Sequence, residues 1–157
     1  MSFAKDFEVF YKEMVQFDDH LGMDLTVHAP GNITYTLKIE KHHLTSPDAC
    51  HGGVIAAFMD AVIGVTVLSW AVSKENLCAT VEFKINYLTR VKPGDVLEGT
   101  GDIDFTGSKL VVASGKIVEK KTGRLVAKGI GTFSQYPLAK KFESIKDLGT
   151  EEIGDSL

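Results

Sequence analysis

Cysteine is scarce in this sequence. Cys50 and Cys78 are its only two, far apart and outside any CxxC spacing. That excludes a disulfide framework and predicts two reduced thiols of a cytoplasmic protein. The five histidines include the pair His42-His43, but no HxxxH spacing occurs, so no metal site is expected. Basic charge is also in short supply: the net charge is -4. Broad binding to a nucleic-acid backbone needs a basic surface, and nucleic acid is therefore not an expected partner. A ligand with one or two phosphates, held by a few local lysines or arginines, stays open. The first residues, MSFAKDFEVFYKEMVQF, carry acids early and no apolar leader core, so no signal peptide is expected here.

What is present suits a single domain of 157 residues, with 44% apolar and 24% charged residues. Phe3, Phe7, Phe10, Tyr11 and Met14 recur at helical spacing and predict an amphipathic surface helix over residues 2–17. A core follows over about 20–136. Leu25, Val27, Ile33, Tyr35, Leu37 and Ile39 alternate with polar residues around Ala29-Pro30-Gly31-Asn32, which reads as a β-hairpin with Gly31 at the positive-φ position of a type II turn. KHHLTSPDAC reads as a polar surface loop. Four further strands follow in ATVEFKINYL, VLEGTGDIDF, KLVVASGKIVE and RLVAKGIGTFSQY. Turns TGSK and KKTGR join the last three, with Gly107 and Gly123 taking special backbone angles. The tail, 137–157, is charged and expected to be loosely ordered.

Between hairpin and strands lies HGGVIAAFMDAVIGVTVLSWAV, too long for a strand and apolar all round, hence a helix buried on nearly every side. Strands joined by short turns pair antiparallel, so the fold class is α+β, with one antiparallel sheet around one helix. The helix is long enough to span a bilayer, but Asp60 near its middle would cost at least ~2.5 kcal/mol there, and a membrane is not expected. Inside a soluble protein, Asp60 requires a partner, a raised pKa or a use. His51-Gly52-Gly53 suggests a use. The helix start offers free N–H groups and the positive end of the dipole, which can hold a developing oxyanion. Asp60 lies seven residues past Gly53, a turn of ~700° and a rise of ~10.5 Å, so both share a face. The plain alternative is an Asp satisfied by a hydroxyl or backbone amide at an interface. Trp70 reads as core or interface. Cys50 beside His51 is not expected to form a nucleophilic dyad, because adjacent side chains rarely meet.

HGGVIAAFMD, TVEFKINYLTRVKPGD and GRLVAKGIGTF together resemble the hotdog-fold acyl-CoA thioesterases, in the branch of phenylacetic-acid-degradation thioesterases and thioesterase superfamily member 2. The resemblance covers about residues 20–135. It implies a long central helix wrapped by a curved antiparallel sheet, joined edge to edge into homodimers and into homotetramers as dimers of dimers. It implies hydrolysis of acyl-CoA thioesters without metal or cofactor. Asp60 matches the catalytic carboxylate, base or nucleophile, supplied by the facing subunit. Gly52 or Gly53 matches the oxyanion donor, with Gly52 favoured, and His51 helps shape the site. Thr80 matches the hydroxyl that assists the acid. One departure stands out: the loop LTSPDAC lacks the usual upstream Asn or Gln, leaving Ser46, or else Thr45, as the nearest match, with Asp48 as an extra acid. The acyl group would lie near Val54, Phe58 or Met59, and the CoA phosphates near Arg90, Lys92, Lys109 or Arg124. Rival readings are a non-catalytic acyl-CoA binder, an interface role for Asp60, and a hotdog dehydratase or hydratase. For the last, the Asp-x4-His spacing of the hydratases is lacking, since position 65 is Val.

Overall fold

A computed structural model describes residues 2–139. Two helices lead, α1 (Phe3–Met14) and α2 (Gln16–Leu21). The single helix expected over 2–17 is thus broken at Val15, whose backbone leaves helical angles. On α1, Phe3, Phe7 and Tyr11 stack at four-residue spacing, with ring centroids 5.8 and 5.9 Å apart. Gly22 ends α2 in the left-handed conformation that glycine accepts most readily. The two helices form an arm lying on the edge of the sheet. Glu8 Oε2 accepts the N–H of Val27 there, at 3.0 Å.

Strands β1 (Met23–Ala29) and β2 (Asn32–Lys38) form the expected hairpin, and Gly31 sits at φ +76° in its turn. The segment KHHLTSPDAC departs from a plain surface loop. It folds into a 3-10 turn (Lys41–His43) and a small hairpin, β3 (Leu44–Ser46) with β4 (Ala49–Cys50). His43 is buried rather than surface-exposed. Its Nδ1 accepts the N–H of Glu40, so its Nε2–H is left to donate to the carbonyl of Leu21.

Helix α3 (Gly52–Val72) is followed by β5 (Asn76–Tyr87), β6 (Val96–Thr106), β7 (Leu110–Glu119) and β8 (Leu125–Pro137). The main sheet is antiparallel, in the order β1-β2-β6-β7-β8-β5. Gly123 takes a positive φ in its turn as expected; Gly107 does not, and what it needs is room, since a Cβ there would stand 3.1 Å from the Phe105 ring. Beyond Ala139 the predicted tail lies outside the described residues.

Size sorts the apolar surface of α3. Ile55, Phe58, Met59, Val62, Ile63, Thr66 and Ser69 recur at helical spacing and are buried. Met59, Ile63 and Thr66 press into a row of glycines paired across three strands, Gly101, Gly115 and Gly129, and Phe58 and Val62 sit against Gly99 beside it. A Cβ on Gly115 would stand 2.6 Å from Ile63, and one on Gly129 2.7 Å from Met59. The row is a groove for the helix. It also accounts for a spanning-length apolar helix packed within a sheet.

Candidate active site

The other stripe of α3 carries Ala56, Ala57, Asp60, Ala61, Gly64, Val65 and Leu68. These line an open-mouthed chamber of about 510 Å³, flanked by Cys78, Thr80, Phe83 and Phe133 of the sheet and by Tyr11, Phe17 and Asp18 of the arm. Small side chains on the helix leave the volume that large ones fill on its sheet side. Asp60 is half-buried at this wall, and Thr80 Oγ1 donates to its Oδ1 at 3.1 Å. Thr80 reaches it from β5, the edge strand, so one hydroxyl fixes the carboxylate against the sheet.

The helix start is built differently. His51 is the N-cap, and its Nδ1 accepts the N–H of Gly53 at 2.8 Å. Gly53 is therefore committed to the cap. It must also be glycine, since a Cβ there would lie 2.8 Å from that same nitrogen. The Gly52 N–H donates to no partner among the described residues. Its carbonyl accepts the Tyr87 hydroxyl at 3.2 Å. Gly52 lines a second cavity of about 350 Å³, with Ala49, Cys50, Ile55, Tyr87 and Arg90 among its walls. Asp60 and Thr80 are not among the residues lining it. Within one chain, then, the carboxylate and the free amide face different cavities.

Several expected contacts fall elsewhere. Phe58 and Met59 are fully buried in the core and line neither cavity, because the stripe facing the chamber is the small one. Val54, half-buried, packs against the core and lines neither cavity. Ser46 Oγ is spent on Asp48, at 2.9 Å, and Asp48 pairs with Arg90 at 2.7 Å. The Ser46 bond and the Arg90 charge hold the Asp48 carboxyl below the usual range. Thr45 is exposed. Arg124 is held structurally, donating to the Arg90 carbonyl at 2.7 Å and to Asp95 at 3.0 Å. Lys92 is exposed near Arg90. Lys109 lies at the other end of the sheet, opposite Gln135, whereas Arg90 follows the β5 end at which Tyr87 pairs with Ala127. The four basic residues make no single patch in one chain. Cys50 and His51 form no dyad: the thiol points to the His51 carbonyl, and burial pushes it up to about 11.

Asp18 escaped the sequence reading, and Tyr11 was read only as part of the apolar face of the N-terminal helix. Asp18 is buried, and its Oδ2 accepts both the Tyr35 hydroxyl at 2.6 Å and the Tyr11 hydroxyl at 3.2 Å. Nothing local separates Asp18 from its neighbour Asp19; only the packing of the arm does. The small stripe of Ala56, Ala57, Ala61 and Gly64 was missed too, because a helix read as apolar all round hides it; its signal is side-chain volume at helical spacing.

The Thioesterase superfamily description matches residues 48–126. Over 103 residues the chain is 33% identical to a Caenorhabditis elegans protein provisionally named an esterase. That match covers 63% of this chain and 57% of the worm protein, so it spans little more than half of that relative. Acyl-coenzyme A thioesterase 13 of Homo sapiens is 27% identical over 114 residues, covering 72% of this chain and 80% of the human one. Among solved structures, thioesterase superfamily member 2 of Mus musculus superposes with a TM-score of 0.74 at 26% identity, covering 85% of this chain and 98% of that one. With its long central helix and curved antiparallel sheet, the chain belongs to the thioesterase superfamily, a family of thioester hydrolases on the hotdog fold.

Proposed function

We propose that the chain hydrolyses acyl-CoA thioesters at a site assembled from two copies. The carrying observation is the separation of Asp60 and the free Gly52 amide into two cavities of one chain. A thioester carbonyl must meet oxyanion donor and base within a few ångströms. Two copies related by a twofold axis can supply one group each. The β5 edge invites that pairing: it is 12 residues long, bears exposed Val81 near its middle and carries Thr80, the partner of Asp60.

In this reading the acyl group enters the chamber. The Gly52 N–H of one copy and its helix dipole stabilise the oxyanion. Asp60 of the other activates water or attacks the carbonyl carbon, oriented by Thr80. CoA leaves along the Arg90 and Lys92 side. No metal or cofactor takes part.

The test is thiol release from short, medium, long and aromatic acyl-CoAs. Asp60→Asn should lose at least ~100-fold. Gly52→Pro should lose a comparable amount with the fold intact. Proline fits the first helical position, and His51 before it already has the extended angles proline requires, φ -68° and ψ 133°. Mixing the two inactive variants should restore part of the activity, because one hybrid site then keeps both groups. Full activity of Asp60→Asn overturns the chemistry; failure of the mixture to recover overturns the two-copy site.

A further inference from the structure

Strand β5 carries two hydroxyls that reach helix α3. Thr80 Oγ1 donates to Asp60 Oδ1 at 3.1 Å, beside the chamber. Further along the same strand, the Tyr87 hydroxyl donates to the Gly52 carbonyl at 3.2 Å, in the wall of the second cavity. The first bond holds the carboxylate. The second reaches the residue whose N–H is the oxyanion donor.

Gly52 needs such a hold. Its N–H must point at one place, the oxygen of the bound thioester, and a residue without a Cβ leaves both of its backbone torsions soft. No protein atom demands glycine there. A Cβ on Gly52 would stand 3.8 Å from the Tyr87 ring, at ordinary contact, and meet nothing nearer. On one side of Gly52, the His51 carbonyl accepts the Val54 N–H at 3.0 Å. On the other, the Gly52–Gly53 peptide is tied at both ends: its N–H donates to His51 Nδ1 at 2.8 Å, and its carbonyl accepts from Tyr87. The bonds among residues 51–54 lie within one turn and move with it. Tyr87 ties that turn to the sheet. Its side is 55% exposed in one chain, where water competes for the hydroxyl. In the two-copy site the β5 edge that bears it is covered, and the bond strengthens as water leaves.

Resting on the two-copy thioesterase reading above, we infer that Tyr87 is a positioning residue for the reaction: its hydroxyl holds the Gly52 peptide so that the Gly52 N–H is aimed at the developing oxyanion. Thr80 does the corresponding work for the carboxylate. One edge strand thus sets both groups of its own copy, each for a different site of the pair.

Tyr87→Phe tests it, since it keeps the ring and removes only the hydroxyl; at so exposed a position the fold tolerates the change. Thiol release should fall about tenfold in kcat, with KM within about twofold of wild type. Mixing then shows which half of a site the hydroxyl serves. In equal amounts with Asp60→Asn, Tyr87→Phe should gain about fivefold over the two measured apart, because random pairing gives one hybrid site an intact Tyr87 and Gly52 facing an intact Asp60. With Gly52→Pro it should gain nothing, because both lesions fall on the same half. Full activity of Tyr87→Phe overturns the inference. So does a higher KM at unchanged kcat, which would make Tyr87 a contact of the CoA. A gain with Gly52→Pro would place the hydroxyl on the Asp60 half, and a gain with neither variant would make Tyr87 a residue that only stabilises its own copy; each overturns it too. A wild type that releases no thiol fails the thioester reading, and a dead mixture of Gly52→Pro with Asp60→Asn fails the two-copy reading; in either case the inference falls with the reading it rests on.

Discussion

The two long stripes of α3 are equally apolar and do opposite things. One holds Phe58, Met59, Val62 and Ile63, each without exposed surface, fitted into the glycine groove of the sheet. The other holds Ala56, Ala57, Ala61 and Gly64, which leave a chamber beside Asp60. Hydropathy does not distinguish them; volume does. A core stripe gains from every methylene it buries. A binding stripe must forgo that burial to leave room for an occupant.

The largest expected effect breaks the core stripe. Phe58 is fully buried and meets the Tyr35 ring edge-on, with centroids 6.2 Å apart. Phe58→Ala should cost about 3–5 kcal/mol in urea unfolding, through lost transfer energy and an unfilled cavity. The thiol-release rate per folded molecule should stay within a few-fold of wild type. A small stability change with a large rate loss would mean that Phe58 faces substrate after all.

The reciprocal change fills the chamber. Ala61→Phe puts a ring into space that lacks protein atoms, so stability should move by no more than about 1 kcal/mol. Hydrolysis of aromatic and long acyl-CoAs should drop about 30-fold, close to ~2 kcal/mol in kcat/KM, with short acyl groups least affected. If Ala61→Phe unfolds the protein instead, the chamber is a gap the protein closes on itself, and the distinction between the stripes disappears.

Much of this was legible beforehand. Period-two alternation located β1, β2 and β5 to β8, and Gly31 sits where its type II turn needs a positive φ. Asp60 stood out as a lone charge in an apolar helix, and its link to Thr80 followed from the family resemblance rather than from spacing. The misreadings have a common physical cause. Phe58 and Met59 were read as acyl contacts because a helix apolar all round gives no direction by hydropathy. The sheet glycines that pull the large stripe inward lie 40 to 70 residues further on. His43 looked like surface because its two partners, the Glu40 amide and the Leu21 carbonyl, exist only after the arm docks. Arg124 looked free for phosphate because its ties to Asp95 and to the Arg90 carbonyl are tertiary. Asp18 was invisible for the same reason: a buried acceptor is made by what packs around it.

The smallest expected effect probes how dry the chamber is. Cys78 lines it, and burial, aided by the Asp60 charge, pushes its thiol up to about 12; Cys50, on the Gly52 cavity, is pushed up to about 11 by burial alone. Alkylation proceeds through the thiolate, and both values lie above working pH. Labelling by iodoacetamide, read residue by residue in a mass spectrometer, should therefore rise about tenfold per pH unit from 7 to 9 at both sites. Across that range Cys50 should react faster than Cys78, whose thiolate is disfavoured both by deeper burial and by the Asp60 charge. An ordinary exposed thiol would instead begin to level off near pH 9. An acyl-CoA seated in the chamber should slow Cys78 further and leave its labelling lower relative to Cys50. If Cys78 levels off by pH 9 like an exposed thiol, water reaches the thiolate freely. The small stripe of α3 would then line an open cleft, with no low-dielectric wall to strengthen the contacts of Asp60 or of Asp18.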